Sequence, residues 1–418
     1  MNRPDCLREA HAHLFQHGRA LGMVDLAMCA SSGEVLDRVR ERASWGENVI
    51  LGHGARPESW NDPRWPTRDE LEAASGDIPC CLWCFDYHAL MANRAALALA
   101  GIDGNTPSPA GGLIERDRSG RLTGVVYERA AQMVWEAMPE PESDARGAIL
   151  RAAIHDLSQT HGFGEIHDLK TQEWLGPALA AMDREQTLAA TCVLWPLVQD
   201  LRVVAETRGR WEGEHVRLGG GKIFVDGTLN SRTAWMLSPF KDGRVEHPCG
   251  LPMMSPAEIE EAVRACDATG VPMAAHAIGD AAVRAVLDAI EHVRPRTPGF
   301  RIEHCEVIDE ADVSRFARLG VIASVQPCHL LYDTEVLERA LPHRLDRVMP
   351  LRELIEAGCT PGVGLIFGSD TPIVRPHPQD SIDAATRRRR NERNEQQAIG
   401  LDQRLTEAEA WECFRGGI

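Results

Sequence analysis

Two histidines one residue apart, His11 and His13 in EAHAH, are the first residues whose types and spacing could do chemistry. In an extended segment positions i and i+2 share a face, so both imidazoles can reach one divalent cation from a strand end. His17 lies close by, and a segment merely rich in histidine is the competing reading. Three further ligand-type side chains each follow a predicted strand: His276 in AAHAIGD, His304 in RIEHCE and Asp370 in FGSDTP. Taken singly, either histidine could be a hydrogen-bonded core residue, and Asp370 could cap a turn. Jointly the pattern is harder to dismiss, because these side chains all fall at the ends of strands that otherwise read as apolar. Lys222, in GGGKIFVDGT, puts an ammonium inside a predicted apolar strand, and an unpaired buried charge is costly. Either it pairs with Asp226 or Asp370, or it reacts with carbon dioxide to give a carbamate able to bridge two metals. Cys81 and Cys84, in CCLWC with Cys80, form one C-x-x-C that could hold metal or cycle redox state. A partner pair is missing and the run is apolar, so core packing is the expected role.

The elements that must position these groups alternate. From about residue 150, short apolar runs are interleaved with amphipathic helical patterns, the signature of strand–helix units and a parallel sheet. The predicted strands are 190–195, 221–225, 271–275, 300–303, 321–325 and 364–368. Ser255, Pro256, Glu258 and Gly270 mark the two ends of one helix. Val283, Val286, Leu287 and Ile290 give the buried stripe of another. The first third is less regular: a strand near 48–52, then a loop-rich stretch from Trp60 to Thr123. It reads as a lid-like insertion around 55–130 in a single domain over 1–418. The expected class is α/β, a TIM (β/α)8-type barrel with an elaborated lid after the early strands and the active site at the C-terminal strand ends.

Composition narrows the partners. The 45 basic and 62 acidic side chains leave a formal charge of −17, which argues against a nucleic-acid partner. The basic run Arg387 to Arg390 is short and reads as a solvated helix face. Neither a long apolar span nor the apolar middle of a signal peptide is evident, so a soluble, cytoplasmic protein with no membrane partner is expected. The 12 scattered cysteines then read as reduced thiols.

In order and spacing, HAH, GKIFVDGTLNSRTA, AAHAIGDAAVRAVLDAIE, RIEHCEVID, VIASVQPCHL and FGSDTPIVRPHPQDSIDAATRR resemble the amidohydrolase superfamily of metal-dependent hydrolases. The branch that contains N-substituted formamide deformylase is the most similar. FDYHALMANRAALALAGI and TPSPAGGLIERDRSGRLTGVVYERA extend the likeness into the first third. The resemblance implies that His11 and His13 bind the more buried metal, that His276 and His304 bind a second, and that Asp370 ligates metal and handles protons. Lys222 stands where such enzymes often carry a carbamylated bridging lysine. The resemblance implies that His88 and Gln326 face substrate, with packing within the lid the competing reading for His88. In that branch a segment before the H-x-H and a tail after the last helix form a flanking β-sandwich, and from residues 1–418 that sandwich is expected to be missing.

The implied chemistry is hydrolysis of an amide-type C–N bond, N-formyl or N-acyl, by metal-activated water, since a divalent cation brings the pKa of bound water to about 7. Asp370 would take the water proton and pass it to the departing nitrogen, with His304 or His276 steadying the oxyanion if one metal is bound. Imidazole and carboxylate donors suit zinc first, and also iron or manganese, as one or two ions. The substrate is expected to be a small molecule, and Trp60, Trp65 and Trp83 would suit an apolar substituent or else belong to ordinary core. Two alternatives stay open: a non-catalytic metal-binding or regulatory barrel, and a lyase or isomerase on the same scaffold. A homodimer is the expected assembly.

Overall fold

The computed structural model describes residues 4–243 and 245–417. The chain divides into two compact units, one of residues 1–17 with 150–418 and the other of residues 18–149. The first strand, β1 (Leu7–Ala12), belongs to the former and is buried along its whole length despite reading LREAHA. Its charged positions find backbone partners, which helps a strand that does not look apolar to form: Arg8 donates to the Gly362 carbonyl at 3.2 Å, and Glu9 Oε1 accepts from backbone amides.

The 18–149 unit is more regular than its sequence suggests. Strands β2 (Val24–Asp25), β3 (Ile50–Ala55), β4 (Cys80–Cys84), β5 (Ala89–Ala92), β6 (Gly112–Arg116) and β7 (Leu122–Glu128) form one six-stranded sheet in the order β2-β3-β4-β5-β7-β6. β2, β3 and β4 pair in parallel, while β4, β5, β7 and β6 pair antiparallel. The strands are short and set off by turn residues, so the stretch from Trp60 to Thr123 resembles loop in sequence without being one. The cysteines of β4 are free and fully buried, as an apolar central strand requires. Among the described residues no cysteine joins a cluster of ligand-type side chains. Trp60 and Trp83 belong to the two cores of this unit, and the Trp60 indole donates to the Cys29 carbonyl at 2.8 Å.

The other unit carries the remaining strands: β8 (Phe163–Leu169), β9 (Thr191–Trp195), β10 (Val216–Leu218), β11 (Gly221–Phe224), β12 (Met273–Ala277), β13 (Arg301–His304), β14 (Ile322–Val325) and β15 (Leu365–Phe367). They form a four-stranded sheet, β1-β8-β9-β10, and a five-stranded sheet, β11-β12-β13-β14-β15, and every pairing is parallel. Two single parallel bridges, Ala12 to Thr371 and Leu197, just past β9, to Lys222 of β11, link the two sheets. The predicted strands are present within a few residues of their expected bounds. Helices intervene between them, and Ser255 and Glu258 form a reciprocal capping box on the helix Pro256–Thr269, closed by Gly270 in the left-handed conformation.

The run Arg387 to Arg390 is not a solvated face. Arg388 is fully buried and its guanidinium donates to the Ile399 and Val348 carbonyls, while Arg390 pairs with Glu335. The chain leaves the helix Pro378–Arg387 at this point, and Arg388 turns inward to backbone carbonyls while Arg387 stays exposed. No helix among the described residues is long and apolar enough to cross a membrane.

Candidate metal centre

β1 carries Glu9 and His11 on one face, and His13 follows its end. Glu9 is fully buried, and its Oε1 accepts from the amides of His11 at 3.0 Å and Ser369 at 2.8 Å. Burial pushes this carboxyl up to about 7, against the pull of those two amides. The close approach depends on Gly368, where a Cβ would stand 2.6 Å from the His11 nitrogen and 2.7 Å from Glu9 Oε1.

That clasp brings Asp370 to the two histidines. Its Oδ1 lies 3.3 Å from His11 Nε2 and 3.1 Å from His13 Nε2, and its amide donates to the His11 carbonyl at 2.7 Å. Asp370 has φ of 65°, and His304 and Cys305 have φ of 73° and 51°. Left-handed backbone at three non-glycine residues costs energy, and such strain persists where surrounding structure over-determines it, often at functional sites. Burial raises the Asp370 pKa, but His11 and His13 outweigh it and hold the carboxyl at about 2.

The second nitrogen of His11 is also fixed. Nδ1 donates to Glu303 Oε2 at 2.7 Å, and Glu303 Oε1 stands 2.6 Å from Arg301 Nε. Arg301 donates to the Ala10 carbonyl at 3.1 Å and lies 4.0 Å over the Trp195 ring. This buried chain puts the His11 proton on Nδ1 and leaves the Nε2 lone pair toward Asp370.

His304 closes β13, with its ring centroid 4.9 Å from His11 and 4.4 Å from His276. Its Nδ1 lies 4.0 Å from Asp370 Oδ2, yet neither ring nitrogen has a hydrogen-bond partner although the side chain is buried. Burial holds it well below the ordinary histidine range. His276 lies within β12 rather than just after it, and its Nε2 is 3.2 Å from the Gly227 carbonyl.

Lys222 sits in β11, 1% exposed, and its Nζ has no hydrogen-bond partner. Of the two readings, the ion pair to Asp226 or Asp370 is not formed: Asp226 accepts from the amides of Trp235, Ile278 and Gly279 at 2.8, 3.0 and 2.9 Å. The carboxylate is thus committed to ordering two loops. Burial lowers Lys222 to about 8, with Glu303 and Asp370 pulling the other way.

Gln326 is fully buried beside His11, with its Nε2 3.4 Å from Nδ1 and 3.2 Å from the Ser324 carbonyl. His88 belongs to the 18–149 unit, where its Nδ1 meets Glu128 Oε2 at 2.7 Å. Sequence reasoning missed Glu9, Arg301 and Glu303. The available signal was charge at alternate positions of strands that are otherwise apolar, REAH in β1 and RIEH in β13.

The residues fit a divalent metal. Donors on one tetrahedral zinc, at bonds of 2.0–2.2 Å, stand roughly 3.4 Å apart, and Asp370 Oδ1 is near that distance from both histidine nitrogens. His11, His13 and Asp370 form one cluster of candidate ligands, and the bare nitrogens of His304 adjoin it.

Parallel strands joined by helices, with buried histidines and a carboxylate at their ends, define a metal-dependent hydrolase type of site. Residues 7–417 match the profile of the amidohydrolase family, and the chain belongs to that family. YtcJ of Bacillus subtilis (strain 168), named as an amidohydrolase, is 30% identical, over 91% of this chain and 72% of its own length. N-substituted formamide deformylase of Arthrobacter pascens is 29% identical, over 87% of this chain and 69% of its own length. An uncharacterised metal-dependent hydrolase from Pyrococcus horikoshii OT3 superposes with a TM-score of 0.74 at 25% identity, covering 97% of this chain and 78% of that one. Family and neighbours support a hydrolase that uses a divalent metal.

Proposed function

We propose that the chain hydrolyses an amide-type C–N bond of a small molecule, of the N-formyl or N-acyl kind, on a closed (β/α)8 barrel formed by β1, β8, β9 and β11 to β15. The observation that carries this reading is the set of buried groups without partners, both nitrogens of His304 and the Lys222 ammonium, beside His11, His13 and Asp370. Buried polar groups of a folded chain are nearly always completed by a protein partner, water or a ligand, and here three such atoms converge beside the candidate ligands.

His11, His13 and Asp370 would hold one divalent ion, zinc by default with iron or manganese also suited, and His276 and His304 would face a second. Lys222, carbamylated, would add an anionic donor between them. A divalent ion held there would supply a nucleophile at neutral pH and polarise the substrate carbonyl. Glu303 keeps the His11 tautomer that presents Nε2. The Asp370 carboxylate accepts the proton released by water and returns it to the leaving nitrogen as the C–N bond breaks, giving acid and amine. If a single ion is bound, His304 or His276 would instead donate to the developing oxyanion.

Metal content by mass spectrometry on chelator-free protein tests this reading, with the His11→Ala/His13→Ala double variant as control. One or two equivalents, lost in the variant, is the expected result; metal-free, well-folded protein overturns it. Incubation of N-formyl and N-acyl amines, lactams and ureas in ¹⁸O-labelled water then separates hydrolysis, which must label the acid product, from lyase or isomerase chemistry.

A further inference from the structure

We propose that His17, anchored by Asp156, is a positioning residue for the metal centre: through the Thr371 hydroxyl it fixes the segment that presents Asp370. The inference deepens the reading above and rests on it only in that the chain takes up metal.

His17 is the histidine of the first segment that the metal centre leaves unused. It lies one helical turn past His13, in the helix Leu14–Ala20, where its amide donates to the His13 carbonyl at 2.7 Å, and it is 4% exposed. Both ring nitrogens are engaged. Nε2 meets Asp156 Oδ2 at 2.9 Å, and Nδ1 meets Thr371 Oγ1 at 2.9 Å. His161 brings its own Nε2 to 3.5 Å from the same Asp156 oxygen. Hydrogen bonds from His161 and His17 hold the Asp156 carboxyl well below the ordinary carboxylate range, so it accepts, and His17 donates to it from Nε2. With that proton on Nε2, the ring accepts from the Thr371 hydroxyl at Nδ1. Each donor in the chain Thr371–His17–Asp156 then has one acceptor, and each bond orients the next.

What these bonds fix is the backbone around Asp370. Thr371 is fully buried, its carbonyl accepts from the His13 amide at 2.9 Å, and its amide donates to Ser369 Oγ at 3.2 Å. Asp370, between Ser369 and Thr371, has φ of 65°, and a left-handed aspartate persists only where its neighbours are held. The main-chain bonds do not depend on which side chain stands at 371. The hydroxyl bond to His17 does. At the other end of the chain, Asp156 opens the π-helical turn Asp156–Thr160 that follows the helix Ser143–His155. Such turns interrupt helices frequently at functional sites, and this one starts at the carboxylate that His17 meets. The competing reading is a polar cluster that stabilises the fold and leaves the metal centre untouched.

Three substitutions separate the two readings. Thr371→Val keeps the branched shape and removes the hydroxyl, Thr371→Ser keeps the hydroxyl and removes the methyl, and His17→Phe keeps a ring without nitrogens. Zinc affinity of the metal-stripped full chain, measured by competition with a chelating dye, is read beside the urea midpoint of the same metal-stripped protein. The expected result is affinity weakened roughly 10-fold in Thr371→Val and in His17→Phe, no further weakening in the double variant, and parent affinity in Thr371→Ser. Parent affinity in both Thr371→Val and His17→Phe overturns the inference, and a lowered urea midpoint in them would then assign the cluster to the fold alone. Equal weakening in Thr371→Ser and Thr371→Val overturns it as well, because the methyl rather than the hydroxyl would hold the segment. So does a double variant whose loss is the product of the single losses. Should His17→Phe fail to fold, the two Thr371 variants decide. A parent chain that binds zinc but cleaves no C–N bond overturns the proposed function and leaves these comparisons in force, whereas a parent that binds no zinc overturns both.

Discussion

Asn93 and His304 are buried polar side chains in the two units, and their surroundings differ. Asn93, in the 18–149 unit, uses both ends of its amide: the oxygen accepts from the Cys80 and Ala96 amides at 3.1 and 2.9 Å, and the nitrogen donates to Ser75 Oγ and the Ile78 carbonyl at 2.9 and 2.8 Å. It caps a helix, clasps a strand and has nothing left to offer a ligand. His304 makes no hydrogen bond with either nitrogen, and Lys222 makes none with its ammonium. A buried polar group that is fully matched is part of the fold, whereas one left bare at a strand end is poised for something the chain lacks. Glu303 stands between these extremes, since its Oε2 is hydrogen-bonded to His11 and its Oε1 is ion-paired with Arg301, and yet it acts on the centre through His11.

The comparison is broken most severely by removing the acid that both histidines face. Asp370→Asn is expected to lower kcat/KM by a factor on the order of 10³ or more with chain folding unchanged; full activity with metal retained would show that the proton is handled elsewhere. Glu303→Gln comes next. It leaves Arg301 buried without its anion, at a cost on the order of 3–5 kcal/mol, and it loosens His11, weakening metal affinity roughly 10–100-fold. Urea unfolding of the metal-stripped chain and metal titration separate the two effects. A variant that loses stability but keeps affinity would make Glu303 a purely structural residue.

How much of this was legible follows from the same contrast. The strand ends were readable because parallel strands must be apolar on both faces, so His304 and Asp370 stood out against their runs. The capping box at Ser255 was readable for a local reason, a three-residue pattern with one geometry. Glu303 and Arg301 were not, because their meaning lies in pairing with β1, about three hundred residues away in sequence. The 18–149 sheet was missed because strands of two to seven residues between turns carry too little periodicity to register. Arg388 misled for the opposite reason: its neighbours are cations, and only the carbonyls of Ile399 and Val348 account for its burial.

Asn93→Ala sharpens the contrast from the side of the fold. Two backbone amides, a hydroxyl and a carbonyl lose their partner, which is expected to cost about 2–3 kcal/mol of stability and to leave metal content and turnover unaltered. A fall in metal stoichiometry in this variant would erase the distinction between the matched and the bare polar groups.

The smallest expected effect lies within the buried network itself. His167 meets Glu165 at 2.9 Å and Arg301 at 3.1 Å, and burial lowers it to about 4. A histidine whose pKa is depressed in the native state binds fewer protons there than in the unfolded chain, so its contribution is fully present above the unfolded value near 6.5 and is lost as pH falls through 6.5 toward 4. Between pH 7 and pH 6 that loss amounts to roughly 0.7 kcal/mol. His167→Gln should flatten the pH dependence of urea stability by this amount across that interval. An unchanged slope would mean that His167 keeps its proton inside the fold, paired with Glu165 as an ion pair, and the network would then carry one more positive charge toward His11 than its burial allows.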